Sequence, residues 1–159
     1  MGKPTVYIET TIVSYLTAWP SNDIVRRSHE IITRDWWTQS RPQFDLYTSV
    51  FTTNEASGGD PTAAADRLRE LQNIPLLPTT PDVAALAAQL ERALSLPARA
   101  RIDAAHLAVA AVHGMAFLLT WNCRHLANGT LTDRIEDTCS AAGFVAPRIL
   151  TPELLMEPL

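Results

Sequence analysis

Lysine is nearly missing from this chain. Lys3 stands alone beside twelve arginines, and thirteen basic residues face seventeen acidic ones, for a net charge of −4. A net-acidic chain has no global positive field with which to coat nucleic acid, so any polynucleotide contact must come from local arginines. Cysteine is scarce too. Cys123 and Cys139 are separated by fifteen residues with no C-x-x-C spacing, which excludes a disulfide-stapled scaffold and points to a reducing, cytoplasmic setting. Met1-Gly2-Lys3-Pro4 lacks the basic segment and apolar stretch of a signal peptide, so none is expected. Ala104 to Cys123 runs for twenty residues without Asp, Glu, Lys or Arg, long enough to cross a bilayer. It contains His106, His113, Gly114 and Asn122, however, and parses better as a buried helix, a glycine stop and a buried strand. No membrane role is expected. Repeats and low-complexity tracts are absent.

What is present suits one soluble domain over residues 1–159. With 47% apolar and 19% charged residues, the chain can bury roughly 70% of its unfolded surface without a structural metal. Thr5 to Ile8 reads as a β-branched and aromatic first strand ending on Glu9, and Ile12 to Leu16 as one or two helical turns. A longer helix is expected over Asp23 to Gln39, with Ile24, Ile31, Ile32 and Trp36 near helical spacing, then a second strand over Phe44 to Ser49. Asp60-Pro61, Thr80-Pro81 and Thr151-Pro152 each offer a side-chain acceptor followed by a proline suited to the first helical turn. They predict helices at about 61–73, 81–95 and 152–157, with a short strand over Ile74 to Leu77. Asp103 to His113 reads as a buried helix ended by Gly114, and Ala116 to Thr120 as a strand inside a parallel sheet. Leu131 to Ala142 is a last amphipathic helix stopped by Gly143, and Arg148 to Leu150 an edge strand. Strands separated by helices predict a three-layer α/β/α sandwich on a mostly parallel sheet.

Ligands of such sheets sit beyond the carboxyl ends of the strands. Glu9, Thr10 and Thr11 close the first strand, Asn54 and Glu55 follow the second, and Asn122 closes the strand after Gly114. Asp103 is the sole acid of the buried-helix segment. Carboxylates converging on one edge repel one another unless a cation lies between them, and oxygen-only ligands suit Mg²⁺ or Mn²⁺. Each residue also has a plainer reading: Glu9 as a strand-end surface acid, Glu55 as a first-turn acid favoured by the helix dipole, Asp103 as an N-cap. Thr10 and Thr11 can simply cap a turn, and Asn122 can tie down a loop. His106 and His113 read as satisfied core residues, and Cys123 with His125 lacks a zinc-ligand spacing. Trp36-Trp37 reads as core or interface, or as a base-stacking pair beside Arg34.

Three stretches carry a family resemblance over nearly the whole chain: V-Y-I-E-T-T-I-V-S-Y-L, T-T-N-E-A, and D-A-A-H-L-A-V-A-A-V-H-G-M-A-F-L-L-T-W-N-C-R-H-L. The sequence resembles PIN-domain proteins, specifically the VapC-like toxins of toxin-antitoxin pairs. The resemblance maps the family's acids onto Glu9, Glu55 and Asp103, its following hydroxyl onto Thr10, and its fourth position onto Asn122. Glu9 stands where Asp is usual, and Asn122 is neutral where Asp is common. What the resemblance implies is an Mg²⁺- or Mn²⁺-dependent endoribonuclease, with metal held by Glu9, Glu55 and Asp103. Bare carboxylates repel RNA, so its approach needs cations, and Arg99, Arg101 and Arg124 lie closest in sequence to Asp103 and Asn122, with solvated surface arginines as their plainer reading. A cognate antitoxin and a homodimer are the implied partners, the dimer resting also on apolar surface expected at Trp36, Trp37 and Leu154-Leu155-Met156. A catalytically impaired RNA-binding or partner-binding module is the alternative. A phosphoacceptor domain is disfavoured, because Glu9 replaces the nucleophilic Asp and Lys3 is the only lysine.

Overall fold

The computed structural model describes residues 2–156. Strand β1 (Thr5–Ile8) lies inside a four-stranded, wholly parallel sheet of order β2-β1-β3-β4, with β2 at Asp45–Tyr47, β3 at Phe117–Leu119 and β4 at Arg148–Leu150. Side chains alternate across the sheet, as a period of two requires. Val6 and Ile8 join one apolar cluster with Leu119, whereas Tyr7 joins the other with Leu118. Both faces are therefore buried, and the sheet is the middle of the three layers expected.

One face is covered by α5 (Pro81–Ala93), α6 (Arg101–Val112) and α7 (Thr132–Ala141), through Leu86, Leu90, Leu107 and Ile135. Opposite it lie α1 (Thr10–Thr17), α2 (Ile24–Asp35) and α4 (Pro61–Leu71), through Ile12, Val13, Ile32 and Leu71. A short helix, α3 (Val50–Ala56), follows β2. The expected caps hold at two starts: Asp60 accepts from the Ala63 amide and Thr80 from that of Val83. Gly114 and Gly143 take the positive φ, 66° and 89°, that ends α6 and α7. No helix among the described residues is long and apolar enough to cross a membrane.

Several expectations need correction. The long helix stops at Asp35 and widens into a π turn over Trp36–Ser40, which turns Trp36 and Trp37 inward, 0% and 9% exposed. The tryptophan pair is core, and the dimer loses that support. Leu155 is buried too, leaving Leu154 and Met156 exposed. Ile74 to Leu77 forms no strand, only a bridge from Leu76 to Thr48. After Thr151 the chain makes a 3-10 turn over Pro152–Leu154 without a side-chain cap, and residue 157 of the expected helix lies outside the described residues.

Candidate active site

The chain leaves β1 toward β2 on one side and returns to β3 on the other, so the strand order switches beside β1. In open parallel sheets that crevice, beyond the carboxyl ends of the strands, is where ligands bind. Glu9 directly follows β1, and Thr120-Trp121-Asn122 directly follows β3.

Glu9 is no surface acid. Its side chain is buried and turned onto its own helix start, accepting from the Thr11 amide at 2.6 Å and from Thr120 Oγ1 at 3.1 Å. Burial raises its carboxyl above the ordinary range, against the opposing pull of His106 and of the Thr11 and Thr120 hydrogen bonds. Glu55 occupies the last turn of α3 rather than a first turn. The helix dipole there disfavours an anion, so the dipole explanation of this acid fails. Thr10 Oγ1 donates to Glu55 Oε1 at 2.6 Å, and His106 Nε2 meets the same oxygen at 2.7 Å. Partial burial pushes the Glu55 carboxyl up, but the hydrogen bonds of His106 and Thr10 prevail and hold it low.

Asp103 is not an N-cap either, because α6 begins at Arg101 and its cap residue, Ala100, makes no side-chain bond. Asp103 instead pairs with His125 Nδ1 at 2.9 Å. Asn122 Oδ1 accepts the amides of Arg124 and His125, so it shapes the loop that carries His125. The structure thus links the predicted residues through groups first read as bland. His106, one helical turn after Asp103, holds Glu55 and bears on Glu9; its Nδ1 reaches the buried Tyr7 hydroxyl at 2.6 Å. A carboxylate only accepts, so Nε2 carries the proton it donates to Glu55. Spacing of i, i+3 from Asp103 was the available signal for His106. His125, three residues after Asn122, offered a weaker one.

The donors at this edge are oxygens of the kind a divalent cation takes. Among the described residues, no three His, Cys, Asp or Glu side chains stand as a ready-made metal cluster. The donors are nevertheless hard oxygens, and neither Glu55 Oε2 nor Asp103 Oδ1 makes a hydrogen bond among the described residues. Two such carboxylates suit a hydrated Mg²⁺ or Mn²⁺, which keeps several waters and needs no protein cage. Of the arginines, Arg101 lies 3.7 Å from Glu91, while Arg99 and Arg124 are exposed with no ion pair among the described residues.

The raised Glu9 carboxyl has a consequence for stability. Folded protein binds this proton more tightly than unfolded chain, so Glu9's contribution is full below the unfolded value of 4.5 and lost as pH rises through the folded one. Glu55, held low, has the opposite sign: its contribution is present above 4.5 and lost on acidification. Without metal, Glu9→Gln is therefore expected to raise the melting temperature at neutral pH, and Glu9→Asp to leave it nearer wild type. If Glu9 is a metal ligand, the Gln variant loses the gain in melting temperature with Mn²⁺ and the Asp variant keeps most of it. Identical responses in all three chains rule out Glu9 as a ligand.

Comparison with known proteins bears on the fold and the family. None of the curated protein sequences matches the chain. Among solved structures, VapBC-1 from nontypeable Haemophilus influenzae is similar, with a TM-score of 0.58 and 14% identity over 94% of this chain and 98% of that one. At that identity the likeness shows the fold alone. The family model named PIN domain matches residues 6–125, a span holding Glu9, Glu55, Asp103 and Asn122. The chain belongs to the PIN-domain family.

Proposed function

We propose that the chain is a divalent-metal-dependent endoribonuclease acting in the cytoplasm as the toxin of a toxin-antitoxin pair. The observation that carries this reading is the linked edge of the sheet: Glu55 fixed by Thr10 and His106, Asp103 one turn before His106, and Glu9 buried beside Thr120. PIN domains are generally nucleases that use divalent metal ions, and the similar solved structure is described as VapBC-1.

In this reading Glu9, Glu55 and Asp103 would hold Mg²⁺ or Mn²⁺, which would supply an activated water nucleophile and charge neutralisation at the phosphate. Thr10 or Thr11 would orient the attacking water, Asn122 would hold a water or a phosphate oxygen, and Arg99, Arg101 and Arg124 would draw in the RNA backbone. The test is cleavage of total RNA by the purified chain with Mg²⁺, with Mn²⁺ and with chelator. Cleavage that the chelator stops supports the reading, and no cleavage under any condition overturns it.

A second reading, an RNA-binding or partner-binding module without turnover, draws on the neutral Asn122, the inward-turned Glu9 and the lack of a ready-made three-ligand cluster. RNA binding without cleavage in the same assay selects it.

The antitoxin and a second copy of the chain remain the proposed partners. Ile24, Val25 and Ile31 on α2 stay exposed and replace the tryptophan pair as the apolar surface offered. Light scattering is expected to give twice the chain mass, and a monomer mass overturns the dimer.

A further inference from the structure

Next to the acids, α1 and the approach to α2 enclose a cleft of about 220 Å³ lined by Thr11, Ser14, Tyr15, Trp19, Arg26 and Glu30. Thr11 joins it to the catalytic edge, since its amide holds Glu9 and its Oγ1 accepts from the Trp121 amide at 2.8 Å. Ser14 and Tyr15 stand three and four residues further along α1, so one stripe of the helix runs from the acids into the cleft. Tyr15 is held edge-on by His29 and Trp121, with ring centroids 5.5 and 6.2 Å away. Trp19 is the opposite case, a tryptophan 88% exposed at the rim. At the back, Glu30 is only 2% exposed. Its Oε1 accepts from the Ser21 amide at 3.1 Å and from Arg27 at 3.4 Å, while its Oε2 makes no hydrogen bond among the described residues. Arg26 forms no ion pair among them.

We propose that this cleft binds one base of the RNA substrate beside the scissile phosphate, stacked against Trp19 and Tyr15, with an exocyclic amino group donating to Glu30. The inference rests on the ribonuclease reading and adds a specificity site to it. Unstacked bases of single-stranded RNA are held on aromatic faces and read along their edges, and Arg26 supplies the phosphate contact. The volume lies below the roughly 300–1,000 Å³ of pockets that enclose a whole drug-sized ligand, which suits a single base. Glu30 decides between a base and an apolar protein side chain. An apolar anchor from a partner would seal the carboxylate off without pairing it, whereas a base amino group satisfies it. Adenine, cytosine and guanine carry such a group and uracil does not, so the cleft discriminates against uracil.

The test uses the full chain carrying Asp103→Asn, so that bound RNA is not consumed, and reads the anisotropy of short labelled oligoadenylate and oligouridylate. Oligoadenylate is expected to bind more tightly than oligouridylate. Trp19→Ala should weaken oligoadenylate about tenfold, the scale of one lost base–aromatic stack, and Trp19→Phe should restore most of it. Glu30→Gln should erase the preference, because the Ser21 amide retains the acceptor and turns the amide nitrogen toward the base. Equal binding of the two oligomers, or no effect of Trp19→Ala, overturns the cleft even when the wild-type chain cleaves RNA. Failure of the wild-type chain both to bind and to cleave RNA overturns the ribonuclease reading and the cleft with it. If Trp19→Ala leaves RNA binding intact but abolishes binding of the co-expressed antitoxin, the cleft is a protein-docking site and the proposal fails.

Discussion

Asp103→Asn is expected to lower metal-dependent RNA cleavage by about 10²–10³-fold, the scale seen when one group that stabilises a transition-state charge is removed. The substitution is well placed to separate chemistry from folding. Asp103 accepts from His125 Nδ1, and an asparagine oxygen can accept the same bond, so the α6-to-loop contact survives. What is lost is one charge at an edge that also holds Glu9 and Glu55. Like charges brought together destabilise one another without a cation, so the metal-free variant should melt at or above the wild-type temperature. Metal should then reverse the order. A ligand at a hundred times its Kd stabilises by about 2.7 kcal/mol, which for a chain of this size raises Tm by roughly 5–10 °C. Wild type should show that rise with Mg²⁺ or Mn²⁺ and the variant little of it. If wild type gains no stability from either ion, a shared metal site at these acids is wrong.

Trp36→Ala should cost about 3–5 kcal/mol, the range for deleting a large buried aromatic. Its ring is fully buried, 5.8 Å from Phe44 and 6.4 Å from Trp37 between centroids, and its Nε1 donates to the Leu155 carbonyl at 2.9 Å. Removing it opens a cavity and unpairs a carbonyl that helps fix the end of the described chain. Set against a typical total of about 5–15 kcal/mol, this loss brings the protein close to unfolding. Urea titration is the measurement. A loss below about 1 kcal/mol would contradict the core assignment. Trp19→Ala is the control, expected within about 0.5 kcal/mol of wild type because that side chain lies in solvent.

The two tryptophan positions also show what the sequence made legible. Capping chemistry is local, so Asp60 and Thr80 announced α4 and α5, and Gly114 announced the stop of α6. Parallel-sheet logic brought Glu9 and Asn122 to one edge, since Glu9 directly follows β1 and Asn122 lies three residues beyond the end of β3. Of the readings open to Trp36 and Trp37, core holds and surface fails, because a π turn rotates the side chains off the 3.6-residue period and nothing in the local composition signals it. Glu55 was misplaced within its helix because β2 is three residues long and Ser49, read as the end of a strand, is the N-cap of α3. The partners of the acids were hidden for a different reason. Helical spacing places His106 one turn from Asp103, but the partners of His106 and His125 lie 51 and 22 residues away in sequence, and no periodicity names them.

Those separations bear on the birth of the molecule as well as on its finished form. Tyr7 touches His106 across 99 residues, and β1 pairs with strands drawn from both halves of the chain. Non-local parallel pairings form late, after the entropy of closing long loops has been met. A ribosome adding about 5–20 residues per second spends roughly 5–20 s between Glu9 and Asp103. For about the second half of that interval the nascent chain holds Glu9 and Glu55 without Asp103 and without the histidine that fixes Glu55. A fragment released early therefore lacks the complete acid edge, and the growing chain carries no assembled site until its second half has folded.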